Sequence, residues 1–236
     1  MEPPPAPVWW KTSTSYPSSS RRSRATVTAA VTTARERLEE LGYEVLVFHQ
    51  TGAGGGSMEA LIDAGFITGS LDVTTTEFCD LVAGGVLVAV PERLESAGRR
   101  GVPQVVSLGA LDMVNFGPAE SVPERFRGRN LYVHNPTITL MRTTPEECRE
   151  IARVIAAKLN AATGPTELFI PLRGVSVIAT EGQVFHDPEA DAALLRGLHE
   201  TLGDGVEVHE LDADVNDPAF ALAMANRLHE LIGGRA

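Results

Sequence analysis

From residue 25 onward, short apolar runs alternate with longer segments in which apolar residues recur every three or four positions. Tyr43–Phe48 (YEVLVF) is a run of the first kind, typical of a strand buried on both faces. The clearest helical stripe follows Thr144–Glu147 (TPEE), which combines an N-cap, a proline at N1 and a capping-box acid. Strands separated by helices pair in parallel through right-handed crossovers.

This alternation predicts a Rossmann-like α/β fold with an open, mainly parallel sheet and helices on both faces. A closed eight-stranded barrel is the alternative, although only five or six segments read as good strands. Further helices are predicted at Val31–Leu41, Met58–Ile62, Glu77–Val82, Pro91–Gly98 and after Asp187 and Asp217, and further strands at Leu71–Val73, Val102–Leu108, Glu167–Leu172 and Val206–Leu211. Gly85–Ala89 reads as either a strand or the buried end of a helix, and residues 109–143 read as less regular.

The first 24 residues differ from the rest in composition. They hold four early prolines, a run of serines and threonines, and the basic group Arg21–Arg24. Such a segment cannot bury enough apolar surface to offset its ordering entropy. We therefore expect a disordered tail at residues 1–24 and one α/β domain at residues 25–236.

Charge and composition exclude several classes of protein. The chain carries a net charge of −11, and its basic tail makes the remaining body more acidic still, which argues against nucleic acid as the main partner. No apolar run approaches the roughly 20 residues that cross a bilayer, so no membrane partner is expected. Cys79 and Cys148 make no disulfide framework, and a reducing cytoplasm is the expected compartment. No His, Cys and Asp spacing indicates a metal site.

A glycine-rich segment, His49–Glu59 (HQTGAGGGSME), follows the first strand and opens a helix. Glycines let backbone N–H groups approach an anion, and a helix N-terminus favours negative charge. The spacing fits neither the dinucleotide fingerprint nor a Walker A loop, which would need a following lysine. The alternative is a flexible turn. The residues expected to form a cradle for phosphate or carboxylate are Thr51, Gly52, Gly54 and Gly55.

Polar residues also lie in Thr74–Glu77, in Gly109–Phe116, and in His134–Thr137 with Arg142. In open α/β sheets, sites form at the carboxyl ends of strands, so the first two segments should share one cleft with the glycine-rich segment. Helix capping, turn hydrogen bonding and ordinary loop polarity are the respective alternatives. Arg142 could clamp an anion. The residues expected to complete the pocket are Thr75, Thr76, Glu77, Asp112, Asn115, His134 and Asn135.

Several of these segments together resemble the UPF0261, or Tm-1-like, family. The matching stretches are YEVLVFHQTGAGG, SMEALID, LDVTTTE, GALDMVNFG, VPERFRGR, HNPTITLMRTTPEE, FHDPEADAAL and NDPAFA. The resemblance runs from about residue 29 to residue 232, and it implies the second of two Rossmann-like halves, with ATP and Mg²⁺ as ligands. Residues 11–28 do not match the family's opening strand and loop, so that strand is either missing or rebuilt from Ala25–Val31.

Three functions remain open on this sequence. The leading one is binding of a nucleotide or another phosphorylated or carboxylated small molecule. The second is an enzyme, a lyase or hydrolase for a small oxo-acid or phosphorylated substrate, with His134 as acid/base and Glu77 or Asp112 orienting it or binding Mg²⁺. The third is an inhibitory or scaffold domain that binds protein, as in a plant member of the family that inhibits a viral replication protein.

A partner is also expected. A half-protein leaves an apolar face uncovered, and burial of such a face stabilises an association. We therefore expect either a homo-oligomer or a separate partner that corresponds to the N-terminal half.

Overall fold

The computed structural model describes residues 7–12, 28–49 and 53–233, with only the backbone described for residues 7–12. The strands are β1 Pro7–Thr12, β2 Glu44–His49, β3 Ser70–Thr74, β4 Gln104–Gly109, β5 Met113–Phe116, β6 Leu131–Asn135, β7 Ile138–Arg142, β8 Thr166–Pro171 and β9 Glu207–Leu211. Six of them form one sheet in the order β2-β1-β3-β4-β8-β9, and every neighbouring pair in it is parallel. This is an open α/β sheet and not a barrel.

The helices lie on both faces of this sheet. They are α1 Thr28–Glu40, α2 Ala53–Asp63, α3 Glu77–Ala83, α4 Ser96–Arg100, α5 Pro145–Asn160, α6 Pro188–Thr201 and α7 Pro218–Gly233. Helices α1 and α7 pack on one face, while α3, α5 and α6 pack on the other. No helix among the residues with a described position is long and apolar enough to cross a membrane.

Alternation along the central strands explains why both faces are covered. In β4, Val105 packs with α1 and α7, whereas Val106 and Leu108 pack with α3, α5 and α6. Strand β8 repeats the pattern, since Phe169 faces one core and Leu168 the other. Successive side chains of a strand point to opposite faces, so strands that are apolar throughout require two cores.

The capping box predicted before α5 is present. The Thr144 hydroxyl accepts a hydrogen bond from the Glu147 backbone N–H at 3.2 Å, and the Glu147 carboxylate accepts one from the Thr144 N–H at 2.8 Å. Behind this cap, Ile151, Ile155 and Leu159 are buried. The local sequence thus determines where this helix begins and which face it buries.

Strand β1 differs from the predicted tail. Pro7–Thr12 pairs with β2 on one side and β3 on the other, and Trp9 is opposite both Leu46 and Ser70. Composition could not show this, because the strand is stabilised by backbone pairing to two distant segments. The rest of residues 1–24 lies outside the described residues, and the domain boundary at residue 25 stays a prediction. The strand suggested for Ala25–Val31 is wrong from Thr28 onward, where α1 begins.

Three further predictions need correction. Gly85–Ala89 is neither strand nor helix, because the Asp80 carboxylate accepts the Leu87 backbone N–H at 2.7 Å and holds the segment as a loop. The helix predicted at Pro91–Gly98 begins only at Ser96, because Leu94 adopts a left-handed φ of 65°. Residues 109–143 contain a second, antiparallel sheet in the order β5-β7-β6.

Candidate functional site

The loops after β3 and β4 meet at the carboxyl edge of the larger sheet. The Thr75 backbone N–H donates to the Gly109 carbonyl at 3.1 Å, and the Thr76 hydroxyl donates to the Met113 carbonyl at 3.1 Å. A Cβ at Gly109 would lie 2.1 Å from the Val73 carbonyl oxygen, so the approach of the two strands requires glycine. The two loops thus lie side by side, as expected, while a cleft that they share with the glycine-rich segment stays a prediction.

The glycine-rich segment is mostly helix. Helix α2 begins at Ala53, so Gly54 and Gly55 lie in its first turn rather than in a loop. A Cβ at Gly54 would lie 1.6 Å from the His49 carbonyl oxygen, so this glycine lets α2 start directly against the end of β2. Thr51 and Gly52 lie outside the described residues. Binding of an anion by this segment stays a prediction.

The predicted wall of Thr75, Thr76 and Glu77 is fully buried. The Thr75 hydroxyl donates to the Ser107 carbonyl at 3.1 Å, and the Thr76 hydroxyl does not cap α3. Glu77 accepts a hydrogen bond from Arg93 at 2.7 Å. These side chains therefore have internal partners that hold the loops together.

Arg93 is the centre of a buried charge cluster. Besides Glu77, its guanidinium contacts Asp72 at 2.5 Å and Glu59 at 3.4 Å, and all four side chains are shielded from solvent. Burial lowers the pKa of Arg93, but the nearby carboxylates of Asp72 and Glu59 raise it by more, so the net effect is a raised pKa. Glu59 also accepts the Leu94 backbone N–H at 2.8 Å. The cluster thus fixes the segment before α4 against α2 and β3.

Asp112 lies just beyond β4, two residues after Ala110, which has a left-handed φ of 60°. Its Oδ2 accepts a hydrogen bond from the Ser176 hydroxyl at 2.7 Å, and its Oδ1 has no hydrogen-bond partner within the described ranges. Burial raises the pKa of Asp112 to about 6, against the opposing effects of Arg142 and Ser176. A strained backbone beside a perturbed carboxyl is typical of functional sites.

Asn115 holds β5 to α3. Its backbone N–H donates to Asp80 Oδ1 at 2.6 Å, and its side-chain amide lies 3.3 Å from the same oxygen. Burial raises the pKa of Asp80 to about 6, while the Asn115 and Leu87 hydrogen bonds oppose that rise. The contacts of Asn115 explain the position of β5 without a ligand.

His134 and Asn135 lie on β6. Asn135 accepts the Thr137 backbone N–H at 2.9 Å and so shapes the turn into β7. Burial lowers the pKa of His134, which is partly exposed. In the part of the chain that the structure describes, no hydrogen bond or ion pair joins His134 to Glu77 or Asp112. The structure therefore does not link the three predicted catalytic residues.

A cleft of about 600 Å³ opens beside the carboxyl ends of β8 and β9, and we call it the α6 cleft. Its walls are the loop at residues 172–187, the start of α6 and the loop after β9. Its polar lining consists of Arg173, Thr180, Glu181, His186, Asp191 and Asp214. Sequence reasoning missed these residues. The carboxyl-edge rule, applied to the segment after Glu167–Leu172, would have pointed to them.

Arg142 supports this cleft from behind. Its guanidinium donates to Asp191 at 2.5 Å, to the Phe185 carbonyl at 2.8 Å and to the Thr143 hydroxyl at 2.7 Å. Burial raises the pKa of Asp191, and Arg142 opposes that rise. Because Arg142 is buried and its donors are engaged, it positions Asp191 rather than clamping an anion.

Acidic groups predominate in the α6 cleft. Glu181, Asp191 and Asp214 line it, against Arg173 and His186. Arg173 is exposed and forms two hydrogen bonds to Asp212, at 2.6 and 2.5 Å, which raise its pKa and keep it charged. A ligand with negative charge would therefore have to bind near these two basic residues.

A separate cluster on β8 and β9 has the composition of a metal site. One ligand atom from each of Glu167, Glu207 and His209 lies within 4.8 Å of the others. Arg227 already contacts Glu167 at 2.7 Å and Glu207 at 3.2 Å. Because a guanidinium neutralises these carboxylates, the arrangement does not favour a cation.

Comparison with known proteins agrees with this architecture. Residues 24–232 match the profile described as "Uncharacterised protein family (UPF0261) C-terminal domain". A UPF0261 protein of Clostridium tetani is 59% identical over 202 residues, which are 85% of this chain and 50% of that protein. One from Rhizobium meliloti is 53% identical over 198 residues, 83% of this chain and 50% of that protein.

A plant protein is also similar. The "ToMV resistance protein Tm-1(GCR237)" of Solanum lycopersicum is 43% identical over 206 residues, which are 86% of this chain and 27% of that protein. The chain thus spans about half the length of the bacterial relatives named above. On the extent of the match and these identities, the chain belongs to the UPF0261 family and corresponds to its C-terminal domain.

Proposed function

We propose that this domain binds a small carboxylated or phosphorylated molecule in the α6 cleft. The observation that carries the proposal is a cleft of about 600 Å³ at the carboxyl ends of two parallel strands. Ligand pockets are commonly about 300–1,000 Å³, and open α/β sheets bind ligands at this edge.

The lining indicates the chemistry of the ligand. Arg173 and His186 can pair with a carboxylate or phosphate, whereas Asp191 and Asp214 accept hydrogen bonds from hydroxyl or amino groups. A ligand with one acidic group and at least one hydrogen-bond donor would match both the basic and the acidic residues of the cleft. A highly charged anion would need a bound cation to offset the carboxylates.

A nucleotide bound at the glycine-rich segment is a separate form of the proposal, because β2 and β9 are opposite edge strands of the sheet and the start of α2 therefore lies away from the α6 cleft. Helix α2 follows β2 closely and has no acidic side chain in its first turn, so a phosphate could bind the backbone N–H groups of Gly54 and Gly55. ATP bound in the α6 cleft itself would instead bring Mg²⁺ to Glu181 and Asp214, which offer the oxygen ligands that this ion prefers.

An enzyme is the second candidate function, and one observation favours it. Asp112, whose pKa burial raises to about 6, is one hydrogen bond away from Ser176 in the loop that lines the cleft. Such a carboxyl suits general acid or base chemistry on a small oxo-acid or phosphorylated substrate. In this form of the proposal Asp112 replaces His134 as acid/base.

A thermal-shift screen followed by calorimetry tests the proposal. The panel contains nucleotides with and without Mg²⁺, sugar phosphates and small carboxylic acids. We expect at least one class to raise Tm, and Arg173→Ala to weaken its binding at least tenfold. Arg153→Ala is the matched control, because both arginines are exposed and ion-paired. If no class binds, or if both variants bind like wild type, the proposal fails.

Association with a second copy or with a separate N-terminal half is a further part of the proposal. Leu81, Val86 and Val88 are exposed within one stretch of eight residues around the end of α3. Exposed apolar clusters mark interaction sites, which also suits an inhibitory or scaffold domain. Light scattering at micromolar concentration should show a dimer, and a monomer would exclude self-association. A cytoplasmic location is proposed because Cys79 and Cys148 are free and buried.

A further inference from the structure

A small chamber lies behind the α6 cleft. Its volume is about 30 Å³, and it shares Leu172, Asp191 and Leu195 with the cleft. The rest of its lining is apolar or glycine: Leu108, Pro171, Gly174, Val175 and Leu194. The shared residues place the chamber next to the cleft, and Asp191 is one of the residues at the junction.

The chamber is poorly suited to water. A buried water typically makes about two to four hydrogen bonds to polar groups around it. The Asp191 carboxylate is already bound to Arg142 at 2.5 Å. The Gly174 carbonyl accepts the Val215 N–H at 3.0 Å, and the Val175 carbonyl accepts the Ala110 N–H at 2.7 Å. An apolar group would therefore fill this space at a smaller desolvation cost than a water molecule.

We propose that the ligand of the α6 cleft is a short-chain carboxylic acid with a hydroxyl group beside its acid group. The carboxylate pairs with Arg173 and His186, and the hydroxyl donates to Asp191 at the junction. The alkyl end, one or two carbons long, enters the chamber. This inference rests on the proposed function and names the class of ligand.

A homologous series of 2-hydroxy acids tests the chamber. Calorimetry on the full chain would compare glycolate, lactate, 2-hydroxybutyrate and 2-hydroxyhexanoate. Each methylene that enters the chamber should tighten binding about fourfold, from about 0.8 kcal/mol per buried CH₂. Affinity should rise as far as 2-hydroxybutyrate and fall at 2-hydroxyhexanoate, because the chamber holds no more.

Variants at Leu195 provide the second arm. This residue lines both cavities and is only partly buried. Leu195→Phe should fill the chamber and remove the dependence on chain length, whereas Leu195→Ala should move the optimum to a longer acid. Leu222→Ala, at an exposed leucine of α7, is the control and should leave the series unchanged.

The outcomes separate the two proposals. If acids bind with no dependence on chain length, or if Leu195→Ala keeps the wild-type optimum, the chamber proposal is overturned and the cleft remains a ligand site. If no 2-hydroxy acid binds while another class binds in an Arg173-dependent way, the ligand class alone is wrong. If nothing binds, the proposed function fails as well.

Discussion

Arg142 and Asp191 lie 2.5 Å apart, and their contact joins the end of β7 to the first turn of α6. The two residues are separated by 49 positions in the chain. The same guanidinium donates to the Phe185 carbonyl, so it also holds the loop that lines the α6 cleft. The small antiparallel sheet therefore supports one wall of the candidate site.

Removing the Arg142 guanidinium should lower the stability of the folded protein. Arg142→Met leaves a largely buried Asp191 without its counter-charge, and loss of one partner of a buried pair costs about 3–5 kcal/mol. Since Asp191 is one-third exposed, we expect the free energy of unfolding, measured by urea titration, to fall by about 2–4 kcal/mol. Arg149→Met, at an exposed pair, should cost less than about 0.5 kcal/mol. Equal effects in the two variants would show that the contact does not form.

Asp112 should make stability depend on pH. Its folded pKa of about 6 is above the ordinary value of 3.8, so the folded state binds the proton more tightly than the unfolded state. The stabilisation that protonated Asp112 gives the folded state is therefore fully present below about pH 4. It is lost as the pH rises through about 6.

The variant Asp112→Asn isolates this effect. Between pH 4 and pH 7.5, the free energy of unfolding of the variant should rise relative to wild type by roughly 1.5–4 kcal/mol. Taking the difference cancels Asp80, whose pKa is raised in the same direction. Denaturant titrations at several pH values provide the measurement. Parallel curves for the two proteins would mean that Asp112 titrates normally.

Arg93 should be among the most sensitive positions for stability. Arg93→Met leaves Asp72, Glu77 and Glu59 as buried carboxylates without a cation. We expect a loss of about 3–5 kcal/mol, or a chain that does not fold. Arg153→Met, which removes an exposed arginine, should change stability by less than about 0.5 kcal/mol. Circular dichroism during denaturation separates these outcomes, and a wild-type midpoint for Arg93→Met would rule out the cluster.

Gly54 should tolerate no side chain. In Gly54→Ala the new Cβ would meet the His49 carbonyl, so the start of α2 must move away from β2. We expect a loss of about 1–3 kcal/mol by thermal or chemical denaturation. Gly205→Ala, with open space around its Cβ position, should be close to neutral. Equal stability of the Gly54 and Gly205 variants would contradict the packing described above.

The backbone amides of strand β1 should exchange slowly with solvent. Because Pro7–Thr12 is placed between β2 and β3, the N–H groups of Trp9 to Lys11 lie in two parallel ladders. Hydrogen exchange followed by mass spectrometry should show slow exchange there, comparable with that of β3. Exchange at the rate of an unstructured peptide would support the disordered tail predicted from composition.

Much of the fold follows from local patterns. The cap at Thr144, the stripe of α5 and the apolar runs of β2, β4 and β8 are properties of neighbouring residues, so the sequence by itself predicts these elements. The predicted burial of β2 on both faces is wrong, because β2 is an edge strand of the sheet and is partly exposed. Parallel pairing follows from their alternation, and with it the edge at which the loops after β3 and β4 meet. The family resemblance also rests on segments that can be read along the chain.

The rest depends on contacts between distant segments. Strand β1 lacks a local signal and is placed by pairing on both sides. Arg142, Asp112 and Thr76 look like loop residues available to a ligand. In the structure they are instead hydrogen-bonded to Asp191, Ser176 and Met113, respectively. The α6 cleft exists because two loops 40 residues apart in sequence, around Arg173 and Ala213, are hydrogen-bonded at 3.0 Å. Burial and charge pairing are set by packing, so only the tertiary structure decided which polar residues face a ligand.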